Sequence, residues 1–484
     1  MKRLNKENAG VSTHPTERVL QFGGGNFLRG FVDWILDEYN EKTNSDLGVV
    51  VVKPTERGDY QEWRDQDGLY HILTKGLKNG EVIDESRLVS CISRIIHPYH
   101  DWTAYLATAE QSDIRYIVSN TTESGIRYAE EDSLDDSPPR EFPAKLTHWL
   151  YHRYEYFDGD PDRGCIIIPT ELLIDNGVLL RDTIVRCAEA WELGEGFIDW
   201  ITSANTFCNT LVDRIVPGVA PDARADAWAA VGYEDQMITQ GEPYHLFAIE
   251  APQSVRDELP LDQIGLNIIY THDLTPYRQL KVRILNGTHT TLVPVAYLYG
   301  LDAVRESMED EVTGAFIHRA LHTEILPSLQ FPQSELEQFA ADVVDRFKNP
   351  FIHHRLISIS LNSISKFKTR VLPSLMVHID RGSTPKHLIF SMAALLYFYR
   401  GRRGDEEIVL KDDPVAIDFL SDLWGKHASG EIGVNDIIDE VLSWEYAWAQ
   451  DLRQHKVLQA YLSSSLTSIV DLGPKKALEQ FMSL

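Results

Sequence analysis

The chain has 484 residues, 43% of them hydrophobic, and its 73 acidic against 46 basic residues give a formal net charge of −27 at pH 7. That length is too great for a single core and predicts two or three globular domains, while the acidic excess would repel a phosphate backbone and argues against nucleic acid as a partner. No run of about 18 apolar residues occurs, and the opening "MKRLNKENAGVSTHPTE" has no apolar stretch behind its basic residues, so neither a membrane span nor a signal peptide is expected and the reading is of a cytoplasmic protein.

The first stretch with chemical content is "VLQFGGGNFLRGFVDW", residues 19–34. Arg18–Phe22 is short and apolar enough for a buried strand, and Phe31, Trp34, Ile35 and Tyr39 recur at helical spacing. The pattern predicts strand, glycine turn, helix. Glycines at 23, 24 and 25 let the main chain approach a ligand, and the free N–H groups and dipole of the helix that follows favour an anion such as a pyrophosphate. The dinucleotide fingerprint is met in part, since Gly23 and Gly25 fit it while its third offset holds Leu28. On these residues alone, a cofactor loop and an ordinary glycine-rich turn stand level.

Further along, apolar runs alternate with helical patterns at Val49–Val52, Ile114–Ser119, Cys165–Ile168 and Leu266–Tyr270. Strands buried on both faces and separated by helices predict an α/β domain with a doubly wound parallel sheet. From about residue 276 the periodicity becomes helical, as in "DEVTGAFIHRALHTEILPSLQ" and "PKHLIFSMAALLYFYRG". The turn-rich "THDLTPYRQ" separates the two regimes, giving domains at 1–275 and 276–484. Cys91, Cys165, Cys187 and Cys208 are widely spaced with no C-x-x-C pair, which predicts buried free thiols and no thiolate metal site.

After the second strand a ribose-binding acid is expected, and the sequence there reads "VVVVKPTERGD". Glu56 or Asp59 could accept from ribose hydroxyls, whereas Lys53 and Arg57 could favour a 2′-phosphate; a solvated charged loop explains the same residues.

Just past the domain boundary, "QLKVRILNGTHTTLVPVAYLYG" spaces Lys281, Asn286 and His289 as K-x4-N-x2-H. On an α-helix they fall at roughly 0°, 140° and 80°, an arc that can line one wall of a cleft. Ile284, Leu285, Leu292 and Val293 predict that this helix is buried, where idle polar side chains are costly. A desolvated lysine can serve as a base, an asparagine amide can donate to an alkoxide, and a histidine can fix a hydroxyl. Together they suit hydride transfer at a carbinol carbon without a metal.

These residues, with "GGGNFLRG", "SNTTESG" (119–125), "NTLVDRIVPG" (209–218), "GEPYHLFAIE" (241–250) and "RFKNPFIHHRLISISLNSISKFKTRVLP" (346–373), resemble the motifs of the mannitol dehydrogenase family of long-chain polyol dehydrogenases. The resemblance runs from about Arg18 to Gly404. It implies a zinc-independent, NAD(P)-dependent enzyme with a Rossmann-type N-terminal domain and a mainly α-helical C-terminal substrate-binding domain, and Glu56 and Asp59 after the second strand make NAD the expected cofactor. It further implies Lys281 as the general acid–base, Asn286 and Asn209 as the alkoxide-stabilising pair, and His289 as the residue orienting the reacting hydroxyl. Gly23, Gly25 and Phe27 match the family's cofactor turn; the candidate cofactor contacts beside them are Phe22, Gly24 and Asn26 at the turn, Glu56 and Asp59 after the second strand, and Asn120 and Thr121 at the end of the third.

The polyol enzymes of the family place an arginine eight residues before the lysine of "SISKF", where this chain has Ser358, and often an acid three before the catalytic lysine, where it has Arg278. Both departures point to a substrate with an anionic end, a hexuronate or aldonate. Candidate substrate contacts are Glu123, Arg278, His354, Arg355 and Lys366, and His353, Lys368 and Arg370 add to the local basic cluster. The alternatives are a neutral polyol, another keto-uronate, or a dinucleotide-binding redox sensor without catalysis. The partner expected is a small molecule, with no nucleic acid and no membrane, and the protein is a monomer or small homo-oligomer.

Overall fold

The computed structural model describes residues 1–12, 14–122 and 124–483. The chain divides into two compact units, one of Met1–Lys75 with Val82–Thr275 and the other of Gly76–Glu81 with the chain from Pro276 onward.

The first unit is built on a six-stranded, all-parallel sheet of β1 (Thr16–Phe22), β2 (Leu47–Val52), β3 (Ile92–Ile96), β4 (Tyr116–Ser119), β5 (Ile166–Pro169) and β6 (Thr206–Phe207). Its order is β3-β2-β1-β4-β5-β6, the doubly wound arrangement of a Rossmann domain. Side chains alternate between two cores. Leu20, Phe22, Val50, Val52, Ile117 and Ile167 face Phe142, Leu146, Trp149 and Ile184 on one side, while Val19, Val49, Val51, Val118 and Ile166 face Phe31, Trp34, Ile35 and Tyr39 on the other. Burial on both faces explains why these strands read as nearly continuous apolar runs.

The run Leu266–Tyr270 departs from the expectation that it joins this sheet. Its strand, β9 (Ile268–Thr271), lies in a second, three-stranded sheet with β7 (Asn209–Asp213) and β8 (Leu246–Glu250). Only Ile268 of β9 is fully buried, as befits a strand outside the doubly covered sheet.

The glycine turn also differs from a simple strand-turn-helix. It is followed by a single helical turn, α1 (Asn26–Arg29), and the long helix α2 starts only at Val32 and runs to Thr43. Gly30 marks the break, where a Cβ would lie 2.5 Å from Val216 Cγ1 and where the carbonyl accepts from buried Arg214 at 2.7 Å.

The second unit is mainly helical. Its centre is the helix Lys386–Phe398, buried from Leu388 to Phe398 and packed against Gly287–Tyr299 and Lys456–Leu472. Glu324 holds the start of that central helix by accepting the N–H groups of His387 (2.9 Å) and Leu388 (2.8 Å). Among the described residues, no helix is long and apolar enough to cross a membrane.

Candidate active site

In the first unit the strand order reverses between β1 and β4, which opens a crevice beyond their C-terminal ends. Phe22 pairs with both Val52 and Ser119, so three strand ends finish level there. Gly23 leaves β1 with φ +111°, and a Cβ on it would sit 2.9 Å from the Asn120 carbonyl oxygen. At Gly24 a Cβ would press on Trp63 at 2.8 Å. Gly25 is exposed with open space where its Cβ would be. Packing thus accounts for two of the three glycines, and the third presents bare main chain outward at the start of α1. A diphosphate fits that surface, because the first N–H groups of a helix have no intrahelical acceptor.

Around the turn, Arg29, the last residue of α1, is buried and donates to Asn26 Oδ1 at 2.5 Å, with its guanidinium over the Trp63 and Tyr70 rings. Burial pulls its pKa down. Phe27 is half-buried and stacks on Phe31. Phe22 is fully buried against Tyr105 and Phe142, so only its backbone reaches the turn, and its carbonyl already accepts from Asn120 N–H.

Lys53 occupies the end of β2, buried, with Nζ donating to Thr55 Oγ1 at 2.8 Å and lying over the Tyr60 ring. Burial lowers its pKa and Asp59 partly restores it. Glu56 and Asp59 are exposed in the loop beyond, and Asp59 accepts from Gln61 N–H. At the end of β4, Asn120 donates to the Thr170 carbonyl at 2.8 Å, and Thr121 gives both its N–H and its hydroxyl to Glu171 (2.9 and 3.0 Å). Glu171 is buried, which pushes its pKa up, and also accepts from Ser119. Glu123 lies outside the described residues.

Asn209 opens β7. Its carbonyl oxygen accepts the N–H groups of Gly177 (3.0 Å) and Val178 (3.1 Å), which lie in the first turn of the helix Asn176–Ala190. Its amide donates to Glu250 Oε1 at 2.9 Å, and Glu250 Oε2 accepts from Leu274 N–H at 2.9 Å. Gly177 leaves room for this arrangement, since a Cβ there would be 2.3 Å from the Cys208 carbonyl oxygen.

In the second unit, Lys281–Asn286 is a π-helix, preceded by the short α-helix Thr275–Leu280 and continued by Gly287–Tyr299. The angles expected for a uniform α-helix therefore shift, because i→i+5 pairing underwinds the segment; such segments are frequent at functional sites. Lys281 and Asn286 are half-buried. Arg283, on the same segment, donates to Ser374 Oγ (2.6 and 2.9 Å) and Ser328 Oγ (3.2 Å), and burial lowers its pKa to about 10.

His289 stacks on Phe347 with ring centroids 4.0 Å apart and meets the edge of His354 at 5.1 Å. Its Nε2 is buried with no partner among the described residues. Burial, followed by the basic groups of His354, Arg346, Arg370 and Lys366, holds its pKa well below the usual histidine value. Lys366 Nζ donates to the Ile359 carbonyl at 2.8 Å. Arg355 and His353 are exposed, and Arg278 is half-exposed in the helix before Lys281. The second unit thus gathers His289, His354, Lys366 and Arg370, and leaves Arg355 facing solvent.

Sequence reasoning passed over Glu171, Glu250 and Arg283. Arg283 carried a usable signal, for it is a second charge inside the apolar run that singled out Lys281. The two glutamates had none, because their partners are distant in sequence.

Residues 17–263 match the family model described as the mannitol dehydrogenase Rossmann domain, and residues 273–470 match the mannitol dehydrogenase C-terminal domain. The chain belongs to the mannitol dehydrogenase family. Within that family it is 45% identical over 482 residues to the altronate oxidoreductase of Bacillus subtilis (strain 168), covering 99% of this chain and 98% of that protein. It is 43% identical to the altronate oxidoreductase of Klebsiella pneumoniae (strain 342), covering 99% of each. In fold it resembles a D-sorbitol dehydrogenase crystallised in substrate-free form (TM-score 0.77, 20% identity, 98% of this chain and 100% of that one). It also resembles Pseudomonas fluorescens mannitol 2-dehydrogenase in a ternary complex with NAD and D-mannitol (TM-score 0.67, 20% identity, 99% of each chain).

Proposed function

We propose that this protein is an NAD-dependent, zinc-independent oxidoreductase that interconverts D-tagaturonate and D-altronate in hexuronate catabolism. The observation that carries the reaction class is the helix from Lys281 to His289. It places a lysine, an asparagine and a histidine with an unpaired buried nitrogen on one apolar, π-distorted segment. The choice of a sugar acid is supported by the basic groups around His289 and by the near full-length likeness to altronate oxidoreductases.

NAD(H) suits the switch-point crevice, with Gly23–Phe27 against the diphosphate, the Lys53–Asp59 loop at the ribose, and the Asn120–Thr121 strand end beside it. When bound, it supplies or accepts the hydride. The residues of the chain do the rest. In reduction, Lys281 Nζ gives a proton to the carbonyl oxygen, and in oxidation it takes that proton from the hydroxyl. The Asn286 amide, on the same segment as Lys281, donates to the same oxygen as negative charge builds on it, and the Asn209 amide keeps a proton available to an alkoxide. His289, kept neutral by its surroundings, holds the substrate hydroxyl in place.

The test is a panel of D-tagaturonate, D-fructuronate, D-tagatose and D-fructose, each with NADH and followed by nicotinamide absorbance. D-Tagaturonate is expected to exceed the neutral ketohexoses about a hundredfold in kcat/KM, the scale of one or two charge-assisted hydrogen bonds. Equal efficiency with tagatose would overturn the sugar-acid reading. A clear preference for fructuronate would reassign the substrate and leave the mechanism standing.

A further inference from the structure

The helix Ser363–Arg370 carries Lys366 and Arg370 four residues apart, so the two side chains share a face. Like charges at that spacing repel each other. Asp412, the carboxylate that acts on Lys366, is already engaged, accepting from the Tyr399 hydroxyl and from Ile364 N–H. Lys366 itself has one acceptor, the Ile359 carbonyl. Arg370 is half-buried and has no side-chain hydrogen bond or ion pair among the described residues. A guanidinium in that state has lost part of its hydration and gained no acceptor in exchange.

Its position is fixed by the backbone. A Cβ on Gly287 would lie 3.0 Å from the Arg370 carbonyl oxygen, so the glycine lets the end of this helix seat beside the residue that follows Asn286 and stands two before His289. His289 brings the second observation, a buried Nε2 without a partner, with Arg370 and Lys366 both acting on its ring. An unpaired cation and an unpaired ring nitrogen therefore border the same small region of the second unit. A planar fork of N–H donors matches a carboxylate in two parallel bonds, which an ammonium or a sugar hydroxyl cannot reproduce.

We propose that Arg370 binds the carboxylate of the substrate, with Lys366 one turn earlier adding a second positive charge, and that this pair makes the enzyme specific for sugar acids. The assignment rests on the sugar-acid reading above and goes beyond it by selecting among the basic residues. Arg355, another arginine of the motif, is exposed and so keeps its hydration, which leaves it without the unmet demand for an acceptor that marks Arg370.

The experiment compares the parent with Arg370→Met and Arg370→Lys. For each, kcat/KM is measured with D-tagaturonate and with D-tagatose, and the affinity of the enzyme–NADH complex for D-altronate is read by nicotinamide fluorescence. In Arg370→Met the acid-to-neutral ratio is expected to fall about a hundredfold, mostly through KM, and altronate binding to weaken by a similar factor. Arg370→Lys, which keeps the charge and loses the fork, should fall about tenfold. A ratio retained within about threefold in Arg370→Met, with parental melting temperature and NADH affinity, overturns the assignment. If Arg370→Met does not fold, Arg370→Lys decides: a parental ratio and parental altronate affinity overturn it. A parent that shows no preference for the acid brings down the sugar-acid reading together with this assignment, whereas a preference that survives the substitutions brings down this assignment alone.

Discussion

The Asn209 amide donates to Glu250 Oε1 at 2.9 Å while its carbonyl oxygen takes the N–H groups of Gly177 and Val178. These partners leave one orientation for the amide, since a flip would set a carbonyl against a carboxylate and an NH2 against two N–H donors. One amide proton is left over for an oxygen outside the network.

Asn209→Asp tests that arrangement. The new carboxylate faces Glu250 and has no proton for a developing alkoxide, so kcat should fall by about 10²–10³, the cost of losing one oxyanion donor. Adding Glu250→Gln to Asn209→Asp relieves the repulsion, and the double variant should regain stability and not turnover. Melting temperature and steady-state kinetics on the three proteins check both halves.

Lys281→Ala should lower kcat at least about a hundredfold across the pH range, the usual scale of general acid–base catalysis. NADH titration of the same variant should give a dissociation constant close to that of the parent, because Lys281 is not among the residues proposed to hold the cofactor. Dialysis against a strong chelator should leave parental turnover unaltered, since no proposed step calls for a metal.

Gly24 and Gly25 should respond oppositely to alanine. At Gly24 the added methyl meets the Trp63 ring at 2.8 Å, so Gly24→Ala should lose stability, on the order of 1–3 kcal/mol. At Gly25 the methyl enters open space with φ −69°, and stability should hold. That methyl stands where a diphosphate would approach, and the NADH dissociation constant should rise at least about tenfold. Thermal melts paired with NADH titrations separate the two outcomes.

Asp33 gives a pH dependence with a definite sign. It lies in α2, fully buried, with Gln21 and Tyr70 as its hydrogen-bond donors, and burial raises its pKa from 3.8 to about 7. The folded state thus holds the proton that the unfolded chain releases, so its contribution to stability is fully present below about pH 4 and declines as pH rises toward 7. The neutral amide introduced by Asp33→Asn has no such proton to lose. Relative to the parent, this variant should gain stability between pH 4 and 7, by an amount on the order of 4 kcal/mol at most. Chemical denaturation of both proteins at several pH values measures it.

The parallel strands were legible because residues such as Val49–Val52 are buried on both faces and leave an unbroken apolar run. Leu266–Tyr270 has a similar run and reads the same way, for apolar content says nothing about which partner a strand will find. The break at Gly30 was hidden for a related reason, since it depends on Val216 and Arg214, some two hundred positions away. Lys281, Asn286 and His289 stood out as polar residues in apolar surroundings, a local pattern. The π-helix that carries two of them has no propensity signature. Glu250 and Glu171 looked like surface acids, and only folding brings them to Asn209 and Ser119, 41 and 52 positions distant.

The unpaired Nε2 of His289 has a consequence for selectivity. A buried nitrogen without a partner costs the free protein about 1–3 kcal/mol, and a substrate hydroxyl that reaches it removes that cost at the moment of binding. The deoxy sugar acid lacking that one hydroxyl forfeits the bond and leaves the nitrogen as unpaired as it is in the free protein, so none of that cost is recovered. Discrimination against it should therefore exceed what a hydrogen bond is worth in water, and the enzyme would reject a molecule smaller than its substrate, one that fits the same space with room to spare.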